Sequence, residues 1–176
     1  RSECMQCHTA AAGQVLGVRT HQLNSSFTYS QGVSSNQLLA WNHVGLFDKS
    51  FDPNLISSYP ASHSITDDSI SLEERVRSYL DSNCSHCHRP GAAYAGFDAR
   101  FTTPLAEQGL INGGLIRNYG IEGQSVIHPG VVSKSILYQR LNSAGEEKMP
   151  PISKHLVDLE AATIVREWIE SLKDSK

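Results

Sequence analysis

The chain has 176 residues, 39 % of them hydrophobic, and a formal net charge of −3. That length suits one large domain or two small ones, no basic cluster points to nucleic acid, and no run approaches the ~20 apolar residues of a membrane span. The hydrophobic share is low for a globular chain of this size, so a bound apolar group is expected to complete the core.

The first informative stretch comes at once, as Cys4-Met5-Gln6-Cys7-His8. A cysteine pair two residues apart, followed directly by histidine, is the spacing of a c-type haem attachment site. Each thiol can add to one haem vinyl group, and the adjacent imidazole can reach the iron from the proximal side. The pattern returns 80 positions later as Cys84-Ser85-His86-Cys87-His88, and the two copies use all four cysteines. A zinc site built from two such pairs usually places them ~15–20 residues apart, whereas 76 residues separate Cys7 from Cys84. Disulfides across two-residue gaps would add little loop-closure stabilisation. Two covalently attached haem c groups are therefore expected, on Cys4 and Cys7 and on Cys84 and Cys87. His8 and His88 are the proximal iron ligands.

After the first motif, Thr9 to Ala12 extends a short helix that carries His8. Asn24 to Ser35, rich in Ser, Asn, Gly and Thr, reads as loop. A helix is expected over 34–46, capped by Ser34 with Gln37 in the capping-box position and stopped at Gly45. Leu39, His43 and Leu46 then share one face, so His43 is either a core residue or an iron ligand. The chain has only two methionines, and Met5 is locked inside the first motif. His43 is thus the leading candidate for the distal ligand of the first haem. Phe47 to Ser64 reads as an irregular connector with turns at Asp52-Pro53-Asn54 and Tyr59-Pro60. His63, at its end, is the main competitor; His21, His128 and His155 rank lower.

The second half starts on a clear helix signal. Ser71 and Glu74 form a capping box, and Leu72, Val76, Tyr79 and Leu80 make an amphipathic stripe running into the Cys84 motif. Residues 89 to 131 read as glycine-rich loops with short helical turns, and Ser133 to Leu141 as helix with Ile136, Leu137 and Leu141 inward. Met149 lies 61 residues after His88, in a loop stiffened by Pro150 and Pro151. Its thioether is a soft, neutral ligand suited to haem iron, which makes it the distal candidate for the second haem. Asp158 caps a last helix with Leu159, Ala162, Val165, Trp168, Ile169 and Leu172 along one face and Lys173 at its end. The expected division is residues 1–70 and 71–176, each holding one haem. Arg75, Arg77, Arg89, Arg100, Arg117 and Arg140 are available for haem propionates, Arg89 first among them. Trp41 and Trp168 are read as core packing.

Residues 71–176 resemble a class I cytochrome c: helix, C-S-H-C-H, glycine-rich loops, M-P-P loop, amphipathic terminal helix. The resemblance implies a mainly α fold whose first and last helices pack, with His88 proximal and Met149 distal. The whole chain is also similar to bacterial di-haem cytochrome domains, through C-M-Q-C-H-T-A-A-A-G-Q-V-L-G, Q-L-N, N-Q-L-L-A-W-N-H-V-G-L-F, N-C-S-H-C-H-R-P-G and M-P-P. Such domains occur as modules of larger secreted proteins, some beside carbohydrate-binding modules in cellulose-degrading bacteria. That similarity implies two haem-binding halves packed as one di-haem unit. It also implies electron donation to lytic polysaccharide monooxygenases, which are copper enzymes. The first half departs from the class I pattern, because no M-P-P segment follows His8.

The expected function is electron relay between a redox donor and an acceptor protein. A Met ligand raises haem potential, and a second imidazole lowers it, so electrons should run from the Cys4-motif haem to the Cys84-motif haem. The rival readings are a di-haem peroxidase, for which Glu122 or Asp98 would have to serve as acid-base group, and a haem-based sensing or docking module. Both need an open iron position. Bacterial haem c is attached outside the cytoplasm, so the expected location is periplasmic, secreted or on the outer cell surface. With no signal peptide in view and the first haem cysteine so near the start, the chain is expected to be a module of a larger multidomain protein.

Overall fold

The computed structural model describes residues 3–92 and 96–172. The chain forms two compact units: Arg1–Leu16 together with Ser64–Lys176, and Gly17–His63. The division therefore does not fall at residue 70. The first cysteine motif belongs to the larger unit, and the smaller unit is the segment between Leu16 and Ser64.

In the larger unit, α1 (Cys4–Cys7) is a single turn, followed by hydrogen-bonded turns through Gln14. Helix α4 (Leu72–Cys84) begins where the capping box places it: the Ser71 hydroxyl oxygen accepts from the Glu74 N–H and donates to the Glu74 carboxylate. The last helix, α6 (Leu159–Ser171), is capped by Asp158, whose carboxylate accepts from the Ala161 N–H at 3.0 Å. The two pack on each other. Val76 and Leu80 from one and Val165, Trp168 and Ile169 from the other are buried in one core, each side chain contributing ~1.5–3 kcal/mol of burial. The Tyr79 hydroxyl donates to Asp158 at 3.3 Å and ties the middle of α4 to the cap of α6. Ile136 and Leu141 of α5 (Ile136–Leu141) are buried as expected. Leu159 is not, at 71 % exposed: it sits in the first turn, ahead of where the helix meets its partner. Lys173 lies outside the described residues.

Between α4 and α5 the chain is loop, held by backbone pairing. The Ala99 N–H bonds the His88 carbonyl at 2.9 Å, the Ile127 N–H bonds the Leu110 carbonyl at 3.0 Å, and the Leu137 N–H bonds the Val126 carbonyl at 3.0 Å. Ala99, Leu110 and Ile127 are fully buried there. Gly113 packs so closely that a Cβ would fall 1.8 Å from the Gly109 carbonyl oxygen.

The smaller unit holds α2 (Thr20–Leu23), an antiparallel hairpin of β1 (Ser26–Thr28) and β2 (Ser34–Asn36), α3 (Gln37–His43) and a 3₁₀ segment at Pro53–Ser58. The hairpin replaces the expected loop over Asn24 to Ser35. Helix α3 starts later than expected, because Asn36 is its cap: its side-chain oxygen accepts from the Leu38 and Leu39 N–H groups, while Ser34 is spent on β2. Gly45, at φ +70°, follows the helix end as a left-handed stop. Leu38 is the one buried apolar residue in this unit. Cohesion comes instead from an aromatic chain, Trp41–Phe47–Phe51–Tyr59, with successive centroids 6.4, 5.7 and 5.6 Å apart. Side-chain amides add to it: Asn24 to the Tyr59 carbonyl at 3.0 Å, Asn42 to that of Phe51 at 3.0 Å.

Candidate functional site

Helix α4 ends at Cys84, so the turn that follows projects Cys84, Cys87 and His88 from a fixed base. Two buried contacts hold that base. The Ser85 hydroxyl donates to the Asp81 carbonyl at 2.6 Å, and the Asp81 carboxylate accepts from the Phe101 N–H at 3.0 Å. The His88 N–H bonds the Cys84 carbonyl at 2.8 Å, and its ring stacks on Phe97 with centroids 4.2 Å apart.

Cys84, Cys87 and His88 line a cavity of about 350 Å³ whose wall also includes Met149, Pro150 and Ile152. The volume lies within the ~300–1,000 Å³ of small-molecule and cofactor sites. The backbone of Met149 is fixed at both ends. Its N–H bonds the Arg140 carbonyl at 3.0 Å. Its carbonyl accepts from the Lys154 ammonium at 3.0 Å, and the same ammonium reaches the carbonyls of Leu141 and, at 3.5 Å, Arg140. Sequence reasoning missed Lys154, because nothing in a lone lysine of a polar loop signals three carbonyl partners.

The electrostatics favour a neutral donor set. Burial, then the nearby Arg140 and His86, lowers the His88 pKa to about 4, so its imidazole is uncharged at neutral pH. Burial pushes the Cys84 thiol up to about 12, with Cys87 and Asp81 adding to it. Cys87 is pushed up to about 11, by burial first and Cys7 next. All four cysteines are free thiols. The buried Nδ1 of His88 has no protein hydrogen-bond partner. Two thiols, a neutral imidazole and a thioether around one cavity fit a covalently held haem.

At the first motif Cys4 is exposed and Cys7 half-buried. His8 Nδ1 lies 2.6 Å from the Gln14 carbonyl oxygen. A carbonyl oxygen only accepts, so Nδ1 is the donor in this contact, and a histidine that ligates a metal through Nε2 commonly has its other ring nitrogen anchored in this way. These residues also fit a haem.

His43 is at the C-terminal end of α3 in the smaller unit. Its face is not buried: His43 is exposed and Leu46 is 63 % exposed, so it is not a core histidine. His43, Leu39, Ala40, Val44 and Tyr29 line an open hollow of about 350 Å³, and the buried Tyr29 hydroxyl in it has no hydrogen-bond partner. His21 and His63 belong to the same unit, where the His21 carbonyl accepts from the Ser62 N–H at 2.8 Å.

Most of the arginines are engaged elsewhere. Arg75 donates to the Ile65 carbonyl, Arg77 to those of Phe101 and Thr103, and Arg100 pairs with Asp98. Arg89 donates to the Ser85 and Ala11 carbonyls, so it links the second motif to the chain after the first. Arg117 pairs with Glu147 at 2.9 Å and is 67 % exposed. Asp98 is committed to Arg100 and Thr103, and Glu122 is exposed, so neither is placed as an acid-base group. Among the described residues, no helix is long and apolar enough to cross a membrane. No family model, curated protein or solved structure matches the chain.

Proposed function

We propose that this chain is a di-haem c-type cytochrome module that relays electrons. The observation that carries the proposal is the single cavity lined by Cys84, Cys87, His88 and Met149, beside a second cysteine motif whose His8 has its Nδ1 anchored. Cys84 and Cys87 would hold one haem by thioether bonds, and His88 and Met149 would be its iron ligands. Cys4, Cys7 and His8 would hold the other, and the choice of His43 as its second imidazole rests on the sequence alone. When bound, each haem supplies a one-electron Fe(II)/Fe(III) couple.

The protein's part is to fix ligands and exclude water. The Ser85 and Asp81 contacts hold the turn after α4. The Lys154 ammonium and the Arg140 carbonyl hold the Met149 backbone, which would keep its thioether available to a bound haem. A Met/His pair gives the higher potential and a His/His pair the lower, so electrons would enter at the Cys4 motif and leave from the Cys84 motif. The acceptor class we favour, a secreted copper monooxygenase, rests on the sequence resemblance alone, as do the class I cytochrome c fold of residues 71–176 and a location outside the cytoplasm.

The test is expression with a haem-attachment system, followed by intact mass and visible spectroscopy. The expected mass increase is two haems that survive denaturation. Carbon monoxide should leave the reduced spectrum unchanged, and His43→Ala should open one haem to it. A chain that matures without covalent haem would end the proposal. Carbon monoxide binding to the native protein would replace relay by a ligand-binding or peroxidase role.

A further inference from the structure

The sulfurs of Cys7 and Cys87 and a ring nitrogen of His86 lie within 4.8 Å of one another. The two cysteines occupy the same place in their motifs, the second thiol, directly before the histidine. Neighbouring contacts close the same seam. The Cys87 thiol donates to the Gln6 carbonyl at 3.3 Å, and Arg89 donates to the Ala11 carbonyl at 3.1 Å. A Cβ on Gly91 would lie in ordinary contact with the Ala11 Cβ, at 3.9 Å. Both motifs belong to one compact unit, and Gln6 and Cys7 line the same cavity as Cys84, Cys87 and His88. Pairing like positions across a seam is how self-complementary contacts are built.

We infer that Cys7 and Cys87 are the electron crossing between the two haem sites, sulfur facing sulfur, with His86 packed beside them as a positioning residue. The inference rests on the di-haem reading. Each sulfur, once part of a thioether, is covalently continuous with its own haem, so the only gap left to cross is the non-bonded distance between the sulfurs. One electron is exchanged across it: one iron is oxidised and the other reduced. No bond forms or breaks and no proton moves. The reductant that loads the pair is an external redox protein. The relay then needs no aromatic stepping stone. Trp168 is buried in the α4–α6 core, and Trp41 is in the aromatic chain of the smaller unit.

The test uses the fully matured chain, with two haems first verified by intact mass. Soret circular dichroism and low-temperature electron paramagnetic resonance of the diferric form are compared with the sum of two single-haem variants. These are Cys4→Ala/Cys7→Ala/His8→Ala and Cys84→Ala/Cys87→Ala/His88→Ala. The expected result is an added bisignate Soret couplet and spin–spin broadening, both absent from the sum. Should one variant fail to fold, the broadening is still read in the native protein by reducing one haem, which sharpens the signal of the other. A two-haem protein whose spectra equal those of isolated haems would overturn the crossing and leave the di-haem reading intact. A protein with fewer than two haems would overturn that reading itself, and the crossing with it.

Discussion

Lys154→Met removes the ammonium and keeps an unbranched stem of four heavy atoms. The charge that is lost donates to the carbonyls of Leu141 and Met149, while the Arg140 carbonyl, at 3.5 Å, sits at the edge of bonding reach. A hydrogen bond to a charged group is worth ~1.5–3 kcal/mol net. Lys154 is half-buried, so the low end applies, and the two better bonds give ~3 kcal/mol. That figure is already net of desolvation, the same burial that lowers the lysine pKa below its ordinary value. A methionine in its place gains ~1 kcal/mol of apolar burial. The expected net loss is ~2 kcal/mol, concentrated on the Met149 loop. The assay is denaturant unfolding of the haem-loaded protein. It follows the far-red ferric iron–sulfur band that the proposed Met149 ligation would give, alongside the helix signal. The band should vanish at lower denaturant than the helices do, and exposed Lys49→Met should change neither. Coincident, wild-type transitions for Lys154→Met would refute the idea that this ammonium holds the ligand loop.

Three other outcomes are expected. Trp168→Ala, at a side chain only 2 % exposed in the α4–α6 core, should lose ~3–5 kcal/mol in urea unfolding, whereas Leu159→Ala should stay within ~0.5 kcal/mol. Gly113→Ala drives a Cβ against the Gly109 carbonyl oxygen and to 3.2 Å from Val126 Cγ2, and should cost at least ~2 kcal/mol by the same measurement. Burial raises the Asp98 carboxyl, but the bonds from Arg100 and Thr103 outweigh it and hold the pKa below 3.8. The folded state therefore binds fewer protons than the unfolded chain only in acid. The Asp98 contribution is complete above about pH 4 and is lost as pH falls through the folded pKa. Unfolding midpoints measured against pH should show a shallower acid limb for Asp98→Asn, and an unchanged limb would contradict this assignment.

Helices α4 and α6 were legible because two independent signals agreed at each: a capping side chain, Ser71 or Asp158, and an apolar stripe starting within a turn of it. Helix α3 was legible in kind but not in its start. Ser34 and Asn36 are both good caps, and the choice between them is made by β2, whose partner strand lies in a serine-rich stretch with no alternating pattern to announce it. The face of Leu39, His43 and Leu46 has helical spacing whether or not anything covers it, so spacing could not tell that it is exposed. At the site, the cysteine motifs are local chemistry and stand in the sequence whole. The approach of Cys7 to Cys87 spans 80 positions and depends on Arg89, Gln6 and Ala11 finding one another. The grip of Lys154 on the Met149 loop depends on three carbonyls, and a carbonyl leaves no mark in a sequence.

The larger unit is discontinuous in sequence: the chain leaves it at Leu16 and re-enters at Ser64, after the whole of the smaller unit. A ribosome makes this protein amino end first. Cys4 and Cys7 therefore emerge as bare peptide, with the surface that will cover Cys7 still unmade. Only when Cys87 follows can the seam close. Order of synthesis thus sets the order of burial: the Cys4 motif exists as chain for 80 positions before the segment that packs against Cys7 is made.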